Sequence, residues 1–258
     1  MKAVFKIKSK KKNWFSYICY RILRFFVKLF YQKTSVQGME NLKNEPCVIV
    51  GNHTKMNGPL IAEFYIPGKR AIWCAAQMMS IKQMPSYAFE DFWRDKPKFI
   101  KPFYKLLSYI ISPVSVCIFK NANTIPVFYD AKVVTTFRKT VEALGEGANI
   151  VIYPESRTER NHIINEFRDR FIDVAKLYYK KTGKALSFAP MYVAPTLKKA
   201  VIGKTIRFNP EAPIEQERER ICEYLMTEVE NIALSLPRHK VVPYKNMPKK
   251  YYPYSKEE

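Results

Sequence analysis

The feature that most constrains this chain is the passage from an apolar run into a polar loop between Pro46 and Leu60, P-C-V-I-V-G-N-H-T-K-M-N-G-P-L. Cys47-Val48-Ile49-Val50 is uninterrupted by polar residues, the pattern of a strand buried on both faces. It stops at Gly51-Asn52-His53, and Pro59 stands where a following helix can begin. His53 is therefore expected at the carboxyl end of a buried strand, on the rim where α/β sheets bind ligands. A lone histidine in such a loop can equally be one that caps backbone groups. About a hundred residues later a second apolar run, Asn149-Ile150-Val151-Ile152-Tyr153, leads straight into Pro154-Glu155-Ser156-Arg157-Thr158-Glu159-Arg160.

The remaining pattern alternates strands and helices. A short helix is expected from Pro59 to Tyr65 and a strand over Ala71-Ile72-Trp73-Cys74-Ala75. Pro85, Pro97 and Pro102 punctuate the aromatic and basic stretch 78–103. Residues 103–119 are strongly apolar; Pro113 and the length argue against a membrane span, leaving a pocket-lining, bilayer-touching or plain core helix. Ala122 to Val127 reads as a strand. In 131–144, Val133, Val134, Phe137, Val141 and Leu144 share a helical face that Gly145 or Gly147 ends. A mixed amphipathic helix is expected over 165–181, strands over 186–193 and 200–208, and a long charge-patterned helix over 215–236. This predicts a single α/β domain with a mostly parallel central sheet flanked by helices. Its expected divisions are a basic segment at 1–36, the α/β domain at 37–236, and a Pro- and Tyr-rich basic tail at 237–258 that wraps the surface or frays.

The first 33 residues hold ten Lys or Arg and no acid, and the formal net charge of the 258 residues is +21. Such a balance favours anionic partners. From Trp14 to Tyr31, Arg21, Arg24 and Lys28 fall on one side of a helix and aromatic and aliphatic residues fill the rest. That is an interfacial helix, with cations at lipid headgroups and rings dipping into the acyl region, beside the alternative of an ordinary helix packed on the domain. Three cations interrupt it as a span, and no small-residue cleavage site marks a signal peptide. Five scattered cysteines show no disulfide framework, so a reducing, cytoplasmic context is expected. His53, His162 and His239 have no ligand spacing, so no metal site is expected. Gly145-Glu146-Gly147 precedes a strand instead of following one, and no phosphate-binding loop sequence occurs.

Taken in order, Asn52-His53, Ile125-Pro126-Val127, Tyr153-Pro154-Glu155 and Ala189-Pro190-Met191-Tyr192 resemble the four motif blocks of the glycerolipid acyltransferase family, the 1-acylglycerol-3-phosphate acyltransferases. The resemblance spans roughly residues 40–210. Three positions depart from it. The family's aspartate, five places after the histidine, is Gly58. Its arginine after Ile-Pro-Val falls at Tyr129. Its Glu-Gly-Thr-Arg reads Glu155-Ser156-Arg157-Thr158.

The resemblance implies acyl transfer from acyl-CoA or acyl carrier protein to a lysophospholipid or glycerol-phosphate-type acceptor, with no cofactor. His53 would be the general base, and Asn57, Glu155 or Asp130 candidates to orient its ring in place of the absent acid. Arg157 and Arg160, with Lys55, would hold the acceptor phosphate; Asn52, Glu155 and Ser156 complete the expected substrate contacts. Restoring an acid at Gly58 would be expected to raise the rate, provided that Gly58 does not need a backbone conformation closed to Asp. The chain would work peripherally at the cytoplasmic face of an anionic membrane. Two alternatives remain: a catalytically silent lipid-binding relative of the same fold, and a nucleic-acid-binding protein. Only the charge speaks for the latter, no binding motif for nucleic acid being recognisable and none being expected as a partner.

Overall fold

The computed structural model describes residues 14–42, 45–94, 96–244 and 247–256. The polybasic stretch before Trp14 lies outside them. The described residues pack as two compact units: one joins the N-terminal helix to Gln77–Ala122, and the other comprises Gln32–Ala76 with the chain from Asn123 onward.

The larger unit is an α/β sheet, and the short helix expected after the His53 loop is present as α2 (Asn57–Tyr65). Its strands are β1 (Ser35–Gln37), β2 (Cys47–Gly51), β3 (Arg70–Ala75), β4 (Thr124–Val127), β5 (Asn149–Ile152), β8 (Ser187–Ala194), β9 (Lys199–Ile202) and β10 (Ile206–Arg207). A separate antiparallel pair is formed by β6 (Glu155–Glu159) and β7 (Asn165–Phe167). The order β1-β9-β8-β2-β5-β3-β4 places β2 between β8 and β5, and the run from β8 to β4 is parallel throughout. β9 and β10 join β8 antiparallel. Val48, Val50, Ile150, Ile152 and Phe188 form one core with α5 (Val133–Gly145), α6 (Asp173–Thr182) and α7 (Ile214–Ser235). Ile49 and Val151 point the other way by the two-residue period, and they are fully buried too. Burial on both faces is why these strands read as unbroken apolar runs.

Two expectations change here. The helix expected from 165 is the strand β7 at its start, followed by a 3-10 turn over Asp169–Ile172 before α6. Asn161 decides this, its side-chain carbonyl accepting the N–H groups of Ile163 and Ile164 and turning the chain back onto β6. The strand expected over 200–208 breaks at Gly203 into β9 and β10.

The smaller unit contains α1 (Trp14–Phe30), the short α3 (Met84–Ala88) and α4 (Lys101–Asn121). Ser16 ties α1 to α4, its hydroxyl accepting from the Asn121 amide at 2.7 Å and its carbonyl from the Cys117 thiol at 3.3 Å. Met84 and Ala88 of α3 pack with Val116 of α4. α4 is inverted relative to an ordinary amphipathic helix. Its buried side includes Ser108 and Ser112, whose hydroxyls bond back to the carbonyls of Lys105 and Ser108. Its exposed side is Phe103, Leu106, Ile110 and Val114, at helical spacing, with Ile110 63% exposed. Pro113 sits inside the helix and does not end it. Lys98–Asn121 is, among the described residues, long and apolar enough by length and composition to cross a membrane, and only 17% of its apolar window is buried. The plain core helix is therefore excluded. α1 is the same in kind, with Trp14, Phe15, Phe25, Phe26 and Phe30 all exposed and only Tyr20 buried.

Candidate functional site

Because β2 and β5 are adjacent and parallel, with Val50 opposite Ile152, the loops that follow them leave the sheet side by side. Their first polar residues meet. The Glu155 carboxylate accepts the backbone N–H of His53 at 2.6 Å through Oε2, and that of Asn165 at 3.1 Å through Oε1. Glu155 thus fastens the His53 loop to β7. It is buried, and burial pushes its pKa up from 4.5 to about 7, outweighing the two N–H donors that favour the carboxylate.

Asn52 fixes the loop on its other side. Its amide accepts the Val193 N–H at 2.7 Å and donates to the Val193 carbonyl at 3.1 Å, extending the β2–β8 pairing by a side chain. Gly51 is required just before it, since a Cβ there would lie 2.9 Å from the Met191 carbonyl. Past His53 the backbone makes an unusual turn, Thr54 and Lys55 both taking positive φ, at 44° and 59°. Such conformations cost about 1–3 kcal/mol each in non-glycine residues and are kept where the surroundings enforce them. Asn57 contributes to that enforcement by donating its amide to the Thr54 carbonyl at 3.0 Å.

The imidazole of His53 is mostly buried. Burial holds its pKa below 6.5, and a hydrogen bond to the backbone of Lys55 pulls it partly back. The ring is therefore neutral at pH 7 and is oriented by the turn of its own loop, in place of the carboxylate that the resemblance implies. Tyr153 meets it edge-on, ring centroids 5.5 Å apart, and Tyr244 does so from the C-terminal tail at 6.2 Å. Tyr153 also occupies the space beside Gly58. A Cβ at Gly58 would stand 2.7 Å from both the Tyr153 ring and the His53 carbonyl oxygen. This overturns the expectation that an aspartate there would raise the rate, because the position is closed to any side chain unless backbone and ring both move.

The expected substrate contacts divide. His53, Asn52, Lys55, Asn57, Glu155 and Ser156 do come together at the rim. Asn52 and Glu155, however, have their polar atoms engaged by backbone, and Ser156 caps its own turn by accepting the Thr158 N–H. Arg160 does not fit the role of a phosphate ligand. Its guanidinium is taken up by Glu223 at 2.6 Å and Glu230 at 2.7 Å, with Glu166 at 3.7 Å. Arg157 is exposed and pairs with nothing among the described residues. Sequence reasoning missed Arg168, whose backbone N–H bonds the Pro154 carbonyl and whose guanidinium lies 5.1 Å from the Tyr129 ring centre. It thus reaches the end of β4, the strand end after Ile125-Pro126-Val127. Its place in a presumed helix hid it. Lys55 donates to the Tyr252 hydroxyl at 2.8 Å. Among the described residues no group of His, Cys, Asp and Glu is arranged to hold a metal ion.

Fold and rim together define an open-sheet α/β protein with a neutral histidine at the carboxyl edge of its central strands. No family model matches the sequence, and no curated protein matches it. Among solved structures, the chain is similar to the 1-acyl-sn-glycerophosphate (LPA) acyltransferase PlsC from Thermotoga maritima, with 16% identity and a TM-score of 0.43. That likeness covers 84% of this chain and 78% of the other.

Proposed function

We propose that this protein is a membrane-associated acyltransferase, moving a fatty acyl group from an acyl-CoA or acyl-carrier-protein thioester to the hydroxyl of a lysophospholipid or glycerol-phosphate-type acceptor. The observation that carries the reading is the pairing of His53 with Glu155. The two most telling residues of the four-block resemblance lie far apart in sequence and are joined directly at one sheet edge.

His53 takes the proton of the acceptor hydroxyl, whose oxygen then attacks the thioester carbonyl. As the tetrahedral intermediate collapses, the C–S bond breaks and the thiolate leaves, to be protonated by the imidazolium. A ring kept neutral by burial is ready to accept that first proton at pH 7. Glu155 acts on the backbone of His53 and so builds the site without exchanging protons with substrate. Arg157, Arg168 and Lys55 are the cations for the acceptor phosphate. The exposed apolar sides of α1 and α4, with the basic N-terminal segment, suit the surface of an anionic bilayer at the cytoplasmic face, where such acceptors reside.

A second reading, a lipid-binding relative without turnover, is favoured by Gly58: no acid follows His53 at that position and none fits. In serine proteases, replacing the aspartate that orients the histidine lowers the rate by ~10⁴. Purified protein assayed with several acyl donors and lysophospholipid acceptors decides between the two. The expected outcome is slow turnover that His53→Ala abolishes. Turnover indifferent to His53 would overturn the mechanism, and none with any donor would leave the lipid-binding reading.

A further inference from the structure

The tail after α7 looks featureless in sequence, yet it is tied into the centre of the larger unit. Lys240 bridges antiparallel to Tyr254, the Val241 N–H donates to the Pro253 carbonyl, and the Ser255 N–H donates to the His239 carbonyl. At the base of this hairpin, buried His239 sets Nδ1 2.8 Å from the Pro237 carbonyl and Nε2 2.8 Å from the Tyr192 hydroxyl of β8. A carbonyl only accepts, so Nδ1 carries the proton and the neutral Nε2 accepts from Tyr192. With its base pinned there, the hairpin carries two tyrosines to the His53 loop. Tyr252 accepts from Lys55 Nζ, which also lies 5.2 Å from the Tyr252 ring centre, and Tyr244 stands edge-on to the imidazole.

We propose that this C-terminal hairpin is part of the active site: Tyr252 is a positioning residue that holds the Thr54–Lys55 turn, and Tyr244 walls the His53 ring. The linkage runs from the Tyr252 hydroxyl to the Lys55 ammonium, and from the Lys55 backbone to the imidazole. It supplies from the tail the orientation that no carboxylate at position 58 provides. The groups facing His53 are Tyr153 at the end of β5, Tyr244 from the hairpin, Lys55 on its own loop, and Glu155 on its backbone N–H. The catalytic consequence rests on the acyl-transfer reading; the positioning of His53 does not.

The test therefore has two readouts on the full-length protein. NMR titration of the histidine rings, with the His53 signal assigned by its loss in His53→Gln, reads the site without any substrate. Tyr244→Ala admits water to the ring and is expected to move the His53 midpoint up toward 6.5, while Tyr244→Phe keeps it at the wild-type value. If the alanine variant fails to fold, Tyr252→Phe carries the test alone. It retains the ring and the hairpin but not the acceptor for Lys55, and is expected to lower kcat about tenfold, apart from any change in KM for the acceptor that Lys55 contacts, with the thermal midpoint nearly unchanged. A His53 midpoint equal in wild type and Tyr244→Ala, or a Tyr252→Phe variant that turns over like wild type, would overturn the proposal. A shifted midpoint in a protein that transfers no acyl group would support the hairpin's placement and remove the acyl-transfer reading instead.

Discussion

Glu155 and His53 are perturbed in opposite senses by the same burial, and each leaves its own mark on stability. Folded Glu155 titrates at about 7 against 4.5 for an ordinary glutamate. Between those values the native chain keeps a proton that the unfolded chain has released, so this contribution to stability falls as pH rises through that window and is level above it. His53 and His239 are held below 6.5 by burial, so the native protein loses stability as pH drops below 6.5 and the unfolded chain takes up protons. Glu155→Gln removes the first effect only. Urea denaturation from pH 4.5 to 8 is expected to show the neutral-side decline gone and the acid-side decline intact. A general loss of about 1–3 kcal/mol should accompany it, since one of the two backbone N–H groups then faces an amide NH2. An unchanged slope would mean that the two donors keep Glu155 ionised throughout.

At the scale of elements, α4 is the part whose sequence is hardest to reconcile with a solvated helix. A stripe of Phe103, Leu106, Ile110 and Val114 is exposed, while Ser108 and Ser112 are buried with their hydroxyls on carbonyls of the same helix. Small buried residues allow close helix approach, and an exposed apolar stripe of this kind suits the bilayer surface proposed above. Leu106→Lys with Ile110→Lys is expected to weaken co-sedimentation with anionic vesicles at least tenfold. Each leucine or isoleucine buried is worth about 1.5–3 kcal/mol, and the packed side of the helix is untouched. Equal vesicle binding by the double variant would assign docking to α1 alone.

Over the whole molecule, 44 Lys and Arg stand against 23 Asp and Glu; on the proposed membrane reading this excess sets long-range attraction and the apolar helices set short-range insertion. The two separate with salt. Raising ionic strength from about 0.05 M to 0.5 M shortens screening several-fold, so binding to anionic vesicles should fall steeply to a floor provided by the apolar residues. That floor should equal the binding to zwitterionic vesicles. Co-sedimentation with DNA at matched salt gives the contrast: DNA offers no apolar phase and should leave no floor. A protein that binds DNA better than vesicles at every salt would reverse the assignment of its charge.

The parallel sheet and the meeting of His53 with Glu155 were legible in the sequence because a strand buried on both faces must be a continuous apolar run. Adjacent parallel runs also end on one edge, so the polar residues after Val50 and Ile152 had little choice of place. The β6–β7 hairpin was not legible, since Glu-Ser-Arg-Thr-Glu has no apolar alternation and its pairing rests on the Asn161 turn and the Glu155 carboxylate. Arg160, expected at the rim, meets the carboxylates of α7 instead, and Arg168, to which the sequence assigned no role, stands beside Tyr129: which arginine meets carboxylates and which stays at the rim depends on where α7 packs. Tyr153 in the space beside Gly58, and Tyr252 on Lys55 across 197 residues, were decided only by the tertiary structure. Apolar periodicity records how each segment is buried; the partner a single polar side chain finds across the fold has no period, and nothing local in the sequence marks it.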